Sequence, residues 1–226
     1  MPHSPIITST INSMADVWEA YRDELEGMER QARTNLDSSV ALVNTVAAHI
    51  LNSGGKRIRP FLLLLSARLC GYTRRDHYQL ASLVEFIHTA SLLHDDVVDE
   101  ADIRRGRRTA RKVWGNQISI LVGDYLYSKA FTQVVDFHIH GINDVLGEAC
   151  KKMAEGEVLQ LYYNGNPSMS EAEYLKIVEY KTAGLIAAAC RMGAMLADAS
   201  ETQQDALFQF GLHLGIAFQV ADDTLD

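Results

Sequence analysis

Proline places the first limit on how this chain can fold. There are four prolines in 226 residues, and Pro2 and Pro5 lie in the N-terminal tail, so Pro60 and Pro167 are the only interior ones. Proline removes a backbone donor and clashes with the turn before it, so long proline-free stretches are free to be helical. Here those stretches are rich in Ala and Leu with 3.6-type spacing, and none alternates with period two, so the chain reads as all-α. The expected helices are 10–32, 37–52, 58–70, 77–99, 117–137, 142–163, 171–197 and 202–226. Ser38 or Ser39 is expected to start the second, and Asn52-Ser53-Gly54-Gly55 to end it as a C-cap turn. Pro60 falls in the first turn of the third, where its missing N–H costs little. Asn164-Gly165-Asn166-Pro167 is a break, and Ser170 with Glu173 forms a capping box that starts the next helix. The 117–137 helix is apolar on more than one face and is expected to be central.

Composition narrows the function classes. The length suits one large domain with a real core, and the balance of 47% hydrophobic and 22% charged residues is that of a globular protein. A formal net charge of −8 argues against nucleic acid as a partner. Cys70, Cys150 and Cys190 are far apart, with no CxxC pair, which suits a reducing cytosol and a cytoplasmic location. Residues 1–9 lack a basic region followed by an apolar run, so no signal peptide is expected. The longest apolar runs, 61–65 and 185–190, are too short for a transmembrane segment. No internal linker, low-complexity segment or fixed-length repeat is visible.

Chemistry is concentrated in two acidic motifs. In His94-Asp95-Asp96-Val97-Val98-Asp99, Asp95 and Asp99 share a helical face and Asp96 lies beside them. Crowded like charges destabilise a helix by about a few tenths of a kcal/mol each, and a cation relieves that repulsion. Hard oxygen donors without Cys or His suit Mg²⁺. The plain alternative is a solvated acidic helix end. A second copy of the spacing, Asp222, Asp223 and Asp226, closes the chain. Two such triads on separate helices would face each other and hold a diphosphate through Mg²⁺, since Mg²⁺ commonly keeps substrate phosphate oxygens as ligands.

Basic stretches accompany the acidic ones. Gly54-Gly55-Lys56-Arg57-Ile58-Arg59-Pro60 combines a tight turn, a helix start and phosphate-binding cations Lys56 and Arg59; it lacks Walker spacing. Arg104, Arg105, Arg107 and Arg108 follow the first triad directly. Lys181 and Thr182 sit within an otherwise apolar helix, where a lysine either snorkels or binds a buried anion. Gln219 precedes Asp222 on the same helical side, and His88 lies two turns before Asp95. Each has a bland reading as a surface charge run or a satisfied core residue. Glu157 and Gln160 would orient other groups or serve structure, and Asp124 is expected to be a buried hydrogen-bonding partner.

The order of these motifs resembles the trans-type polyprenyl diphosphate synthases, long-chain and octaprenyl-diphosphate-synthase-like. The matching pieces are GGKRIRP at 54–60, EFIHTASLLHDDVVD at 85–99, RRG at 104–106, LVGDYL at 121–126, GEVLQL at 156–161, KTA at 181–183 and GIAFQVADDTLD at 215–226. The resemblance implies an isoprenoid synthase fold, an antiparallel helical bundle around a central cavity. It implies one domain over 1–226 that lacks its C-terminal helices, and a homodimer. By resemblance, Asp95, Asp96, Asp99, Asp222, Asp223 and Asp226 would be the metal ligands, for about three Mg²⁺ ions. Arg104, Lys181, Thr182 and Gln219 would surround an allylic diphosphate, and Lys56, Arg59, His88 and Arg105 would hold isopentenyl diphosphate. The implied catalytic residues are Asp95, Asp96, Asp99, Arg104, Lys181, Asp222 and Asp223.

Product length is read from the Asp95 helix. Ser91 lies one turn before Asp95, with Ala90 beside it; in the family an aromatic there stops elongation early, so small residues imply a long product of about C30 to C50. Phe131, or another aromatic of its helix, would floor the tunnel, though ordinary core packing is the default. Two departures stand out. Arg107-Arg108-Thr109 replaces the usual sequence after RRG, leaving a more mobile or more basic loop, and the chain stops at Asp226, as a truncated product would. Three rivals remain: a geranylgeranyl or farnesyl diphosphate synthase, a non-catalytic subunit of a heteromeric prenyl synthase, and a class I terpene cyclase. The intact first triad with Lys56, Arg59 and Lys181 argues against the subunit. A cyclase would have no use for the isopentenyl-diphosphate set.

Overall fold

The computed structural model describes residues 12–225. Asp226 and the first two residues of the expected 10–32 helix lie outside them. The elements in chain order are α1 (Met14–Ala20), α2 (Arg22–Asn35), α3 (Ala41–Leu51), α4 (Ile58–Leu69), α5 (His77–Val98), β1 (Ile103–Arg104), β2 (Arg107–Arg108), α6 (Ala110–Trp114), α7 (Asn116–Val134), α8 (Ile142–Tyr163), α9 (Glu171–Val178), a π-helical segment (Glu179–Ala183), α10 (Gly184–Leu196) and α11 (Glu201–Leu225). The all-α reading holds, with one small hairpin added. No helix among the described residues is long and apolar enough to cross a membrane.

Three expected helices differ from their sequence reading. The first is split at Tyr21, whose backbone (φ −111°, ψ 16°) departs from helical geometry. The second starts at Ala41 rather than 37. The Asn44 amide turns back to bond the Ser38 carbonyl at 2.9 Å, and Ser38 Oγ accepts from the Val40 N–H, so residues 38–40 are held in a turn. The third difference is the π segment inside 171–197. There the Gly184 N–H donates to the Glu179 carbonyl, five residues back instead of four. The Ser170–Glu173 capping box forms as expected.

The chain divides into two compact units, residues up to Arg57 with Thr73–Ala130, and Ile58–Tyr72 with the residues from Phe131 on. In the first unit α2 packs on α5. Gly27 makes this possible: a Cβ there would lie 2.7 Å from the Tyr78 ring. Leu80, Leu83, Val84, Phe86, Ile87 and Ala90 of α5 are fully buried, each large side chain contributing about 1.5–3 kcal/mol relative to exposure. Several polar groups in this core bond one another. His77 Nε2 lies 2.8 Å from Glu24, and Asn35 Nδ2 donates to Ser82 Oγ at 2.7 Å. Ser119 Oγ of α7 donates to the Leu93 carbonyl at 3.0 Å. The expectation that α7 is central is corrected. Its buried positions in this unit form one stripe, Ser119, Val122, Gly123, Leu126 and Ala130, while Ile120 and Leu121 are exposed. An apolar composition on several faces did not mean burial on several faces.

In the second unit α10 packs against both α4 and α11 through small residues. A Cβ on Gly193 would collide with the Leu63 carbonyl, and one on Gly215 would lie 2.6 Å from the Ala183 Cα. Gly211 meets Ala187 in the same way, one turn earlier. Leu62, Ile186 and Cys190 form the apolar centre, flanked by Ile58, Leu65 and Leu207. Gly156 of α8 lies against the π segment, where a Cβ would come within 2.7 Å of the Lys181 backbone nitrogen.

Gly215→Ala is expected to lower unfolding stability by about 1–3 kcal/mol, because the clash is with main chain that cannot yield. Gly147→Ala, whose new Cβ meets only the Phe131 ring at 4.0 Å, is expected to raise it by about 0.5–1 kcal/mol. Urea denaturation followed by circular dichroism measures both.

Candidate functional site

In the first unit the site is built at the end of α5. The helix stops at Val98, and Asp99 is its C-cap, with its N–H bonded to the Asp95 carbonyl at 2.8 Å. Asp96 is 1% exposed. One of its oxygens accepts from Arg104 Nε at 2.7 Å; the other is buried with no hydrogen-bond partner. Burial pushes its carboxyl pKa above the ordinary value, and the Arg104 hydrogen bond and charge oppose that rise. Asp95 is half-buried and Asp99 exposed. Among the described residues no three acidic, His or Cys side chains are gathered into a closed metal cluster. The residues nonetheless fit Mg²⁺, which binds through one or two carboxylates plus phosphate and water rather than an all-protein cage. The orphaned Asp96 oxygen is a buried acceptor that a cation would satisfy.

Arg104 reaches Asp96 because residues 103–108 form a hairpin, with Arg104 opposite Arg107. Arg105 (φ 50°) and Gly106 (φ 74°) occupy the two turn positions, both left-handed as a tight type I′ turn requires. Strands of two residues are too short to alternate visibly, so the sequence reading missed them. The hairpin is tied to the Gly54-Gly55 turn. Arg105 donates to the Gly54 carbonyl and fills the space beside Gly55, where a Cβ would lie 2.6 Å from its guanidinium; Arg107 donates to the Asn52 carbonyl at 3.1 Å. His49 Nε2 bonds the Arg108 carbonyl at 2.8 Å. Lys56 is exposed at this turn. His88 is half-buried on the Asp95 face of α5, and Ser91 Oγ on that face donates to the His88 carbonyl at 2.9 Å. Ala90 is fully buried in the core beside it. Asp124 is not the expected buried partner. Its side chain is 58% exposed, and it lies 3.3 Å from His94 Nε2.

In the second unit, α11 presents Gly211, Gly215, Gln219 and Asp223 at intervals of four, one stripe along the helix. The glycines bring α11 against α10, and Gln219 and Asp223 extend the same line. Thr182 Oγ1 donates to Gln219 Oε1 at 2.9 Å, and Gln219 Nε2 donates to Asp223 Oδ1 at 2.7 Å. Tyr174 Oη donates to Asp223 Oδ2 at 2.6 Å, a bond that, with some burial, pushes the phenol pKa up to about 12. Lys181 Nζ is 2.6 Å from Glu157, whose other oxygen is buried and unpaired. Asp222 and Gln160 are exposed, Arg59 of α4 is half-buried, and Phe131 is half-buried beside Gly147.

Residues 40–226 match the family model described as polyprenyl synthetase. The chain belongs to the polyprenyl synthetase family. Octaprenyl diphosphate synthase of Escherichia coli (strain K12) is 42% identical over 92% of this chain and 64% of its own length. Among solved structures, a decaprenyl diphosphate synthase from Rhodobacter capsulatus is 44% identical with a TM-score of 0.91, over 95% of this chain and 66% of that one. A polyprenyl synthase from Caulobacter crescentus CB15, complexed with calcium and isoprenyl diphosphate, is 40% identical with a TM-score of 0.90, over 96% and 66%. The chain therefore spans somewhat under two thirds of the length of the curated relative. The helical fold is the isoprenoid synthase fold.

Three residues that contact these groups went unnoticed in the sequence. Arg57 sits between the two cations singled out at the glycine turn. Its backbone is left-handed (φ 49°), and its guanidinium turns inward to Glu85 and the Leu51 carbonyl, 3.6 Å from Glu29. Arg57 is anchored to a buried carboxylate of the first unit, and neither spacing nor charge announces that in the sequence. Glu85 is its partner. Tyr174 is the third, separated from Asp223 by 49 positions in sequence.

Arg57→Met is expected to lower the urea midpoint, because the buried Glu85 carboxylate loses its Arg57 ion pair and the Leu51 carbonyl loses its donor. For Asp96 the sign is reversed. An acid whose folded pKa is raised opposes folding at neutral pH, and the penalty fades as pH falls through the raised value. Asp96→Asn is therefore expected to raise the neutral-pH urea midpoint of the metal-free chain, with the difference from wild type shrinking in acid.

Proposed function

We propose that this chain carries a Mg²⁺-dependent prenyltransferase site that condenses isopentenyl diphosphate with an allylic diphosphate to give a long all-trans polyprenyl diphosphate. The observation that carries the reading is the buried Asp96 carboxylate, held by Arg104 on one oxygen and open on the other. The family membership, the octaprenyl and decaprenyl products named for two relatives, and the calcium and isoprenyl diphosphate named for a third all support it.

The ligands for Mg²⁺ in this reading are Asp95, Asp96 and Asp99, with Asp222, Asp223 and Asp226. When bound, Mg²⁺ supplies Lewis-acid neutralisation of the diphosphate. Arg104, Lys181, Thr182 and Gln219 bind the allylic diphosphate. Lys56, Arg59, His88 and Arg105 bind isopentenyl diphosphate. Cleavage of the allylic C–O bond puts negative charge on the departing pyrophosphate, and Arg104 and Lys181 are the fixed cations that accept it. The double bond of isopentenyl diphosphate attacks the allylic cation, and the resulting carbocation loses a proton to pyrophosphate. Glu157 keeps the Lys181 ammonium aimed through its 2.6 Å ion pair. The growing tail runs along the Ser91 side of α5. The reading includes one synthase domain, cytoplasmic operation and a homodimer, which would cover exposed Ile120 and Leu121.

The test supplies the chain with Mg²⁺, labelled isopentenyl diphosphate and geranyl or farnesyl diphosphate, and sizes the products by chromatography. Products of about C30 to C50 are expected, and absence of elongation with every primer overturns the reading. Ser91→Phe puts an aromatic one turn from Asp95 and is expected to shorten the main product by several isoprene units, with isopentenyl diphosphate KM changed less than about threefold.

A further inference from the structure

Asp223 is held on both oxygens, and the second holder is a residue to which the proposed chemistry assigns nothing. Thr182 has one hydroxyl proton and gives it to Gln219 Oε1 at 2.9 Å. The Asp223 carboxylate only accepts, which fixes Gln219 Nε2 toward Asp223 Oδ1 at 2.7 Å and leaves Oε1 to take the Thr182 proton. Tyr174 Oη then closes on Oδ2 at 2.6 Å from α9, a different helix from the one that carries the carboxylate. With one donor on each oxygen, the carboxylate cannot turn about its Cβ–Cγ bond without breaking a hydrogen bond. A carboxylate has about four lone-pair sites, so each oxygen keeps one for a cation.

The supports of this arrangement are main chain. Gly215 meets the Ala183 Cα, and Gly156 meets the backbone of Tyr180 and Lys181, so α11 and the π segment hold their places by contacts that leave no room for slippage. Tyr174 is half-buried, and this is its one side-chain hydrogen bond among the described residues. We propose that Tyr174 is a positioning residue for a divalent cation at Asp223: its hydroxyl holds the carboxylate at the angle that leaves both oxygens open to the ion. This rests on the Mg²⁺ reading of Asp223.

The test needs no turnover. Mn²⁺, a paramagnetic stand-in for Mg²⁺, is titrated into the 226-residue chain, and free Mn²⁺ is read by electron paramagnetic resonance for wild type, Tyr174→Phe, Asp223→Asn and Asp96→Asn. Asp223→Asn is expected to abolish one class of bound Mn²⁺. Tyr174→Phe is expected to weaken that same class by about tenfold, as loss of a ligand's orienting partner does, and to leave the class removed by Asp96→Asn and the melting profile as in wild type. If Asp223→Asn removes Mn²⁺ and Tyr174→Phe binds it with wild-type affinity, the role of Tyr174 is overturned while the metal reading stands. If Asp223→Asn binds as wild type does, the metal reading of Asp223 fails and takes this proposal with it.

Discussion

Close approach of helix backbones is the constraint from which the second unit follows. Helices whose facing side chains are absent can meet main chain to main chain, and here Gly193, Gly211, Gly215 and Gly156 create four such contacts. Each removes a degree of freedom. Gly193 fixes α10 on α4; Gly211 and Gly215 fix α11 on α10; Gly156 fixes the π segment on α8. What remains variable at the end of these contacts is small, and Thr182, Lys181, Gln219 and Asp223 sit there. The line of glycines on α11 runs directly into the line of polar residues, so one helical stripe changes from packing to chemistry within a single turn.

The first unit uses charge for the same purpose. Arg57 and Glu85 are buried against each other, and Arg104 reaches Asp96 from the hairpin. Buried pairs of this kind add little net stability, because desolvation offsets most of the attraction, but they penalise any arrangement that separates them. Their effect is to pin two irregular segments, the Gly54-Gly55 turn and the 103–108 hairpin, to a regular helix. Asp96 is the exception within this scheme. Its second oxygen is left without a partner, a cost that the fold does not relieve by itself. Local cost at a site where a ligand would remove it is the usual mark of function.

Much of this was legible in the sequence. The scarcity of interior proline and the apolar spacing placed most helices within a few residues, since both act locally on the backbone. The Asp motifs, the glycine turn and the capping box carry fixed spacings and were readable for that reason. What escaped depended on distance in space. Tyr174 bonds Asp223 across 49 positions, and Arg57 turns inward to Glu85, 28 positions away. The hairpin escaped because four paired residues give no period. Asp124 was misjudged because an apolar neighbourhood in sequence, Val122 and Leu126, belongs to a different face of the same helix. The centrality expected of α7 failed for the same reason.

The π segment has a consequence for how such a chain can change over generations. A residue inserted into a helix advances everything beyond it by roughly 100° about the axis. Losing any one residue from 179–183 would therefore repair a helix, giving regular bonding from Glu171 to Leu196. That repair would also swing Tyr174 and the rest of α9 away from Asp223. Single-residue deletions here trade helical regularity against the Tyr174–Asp223 bond.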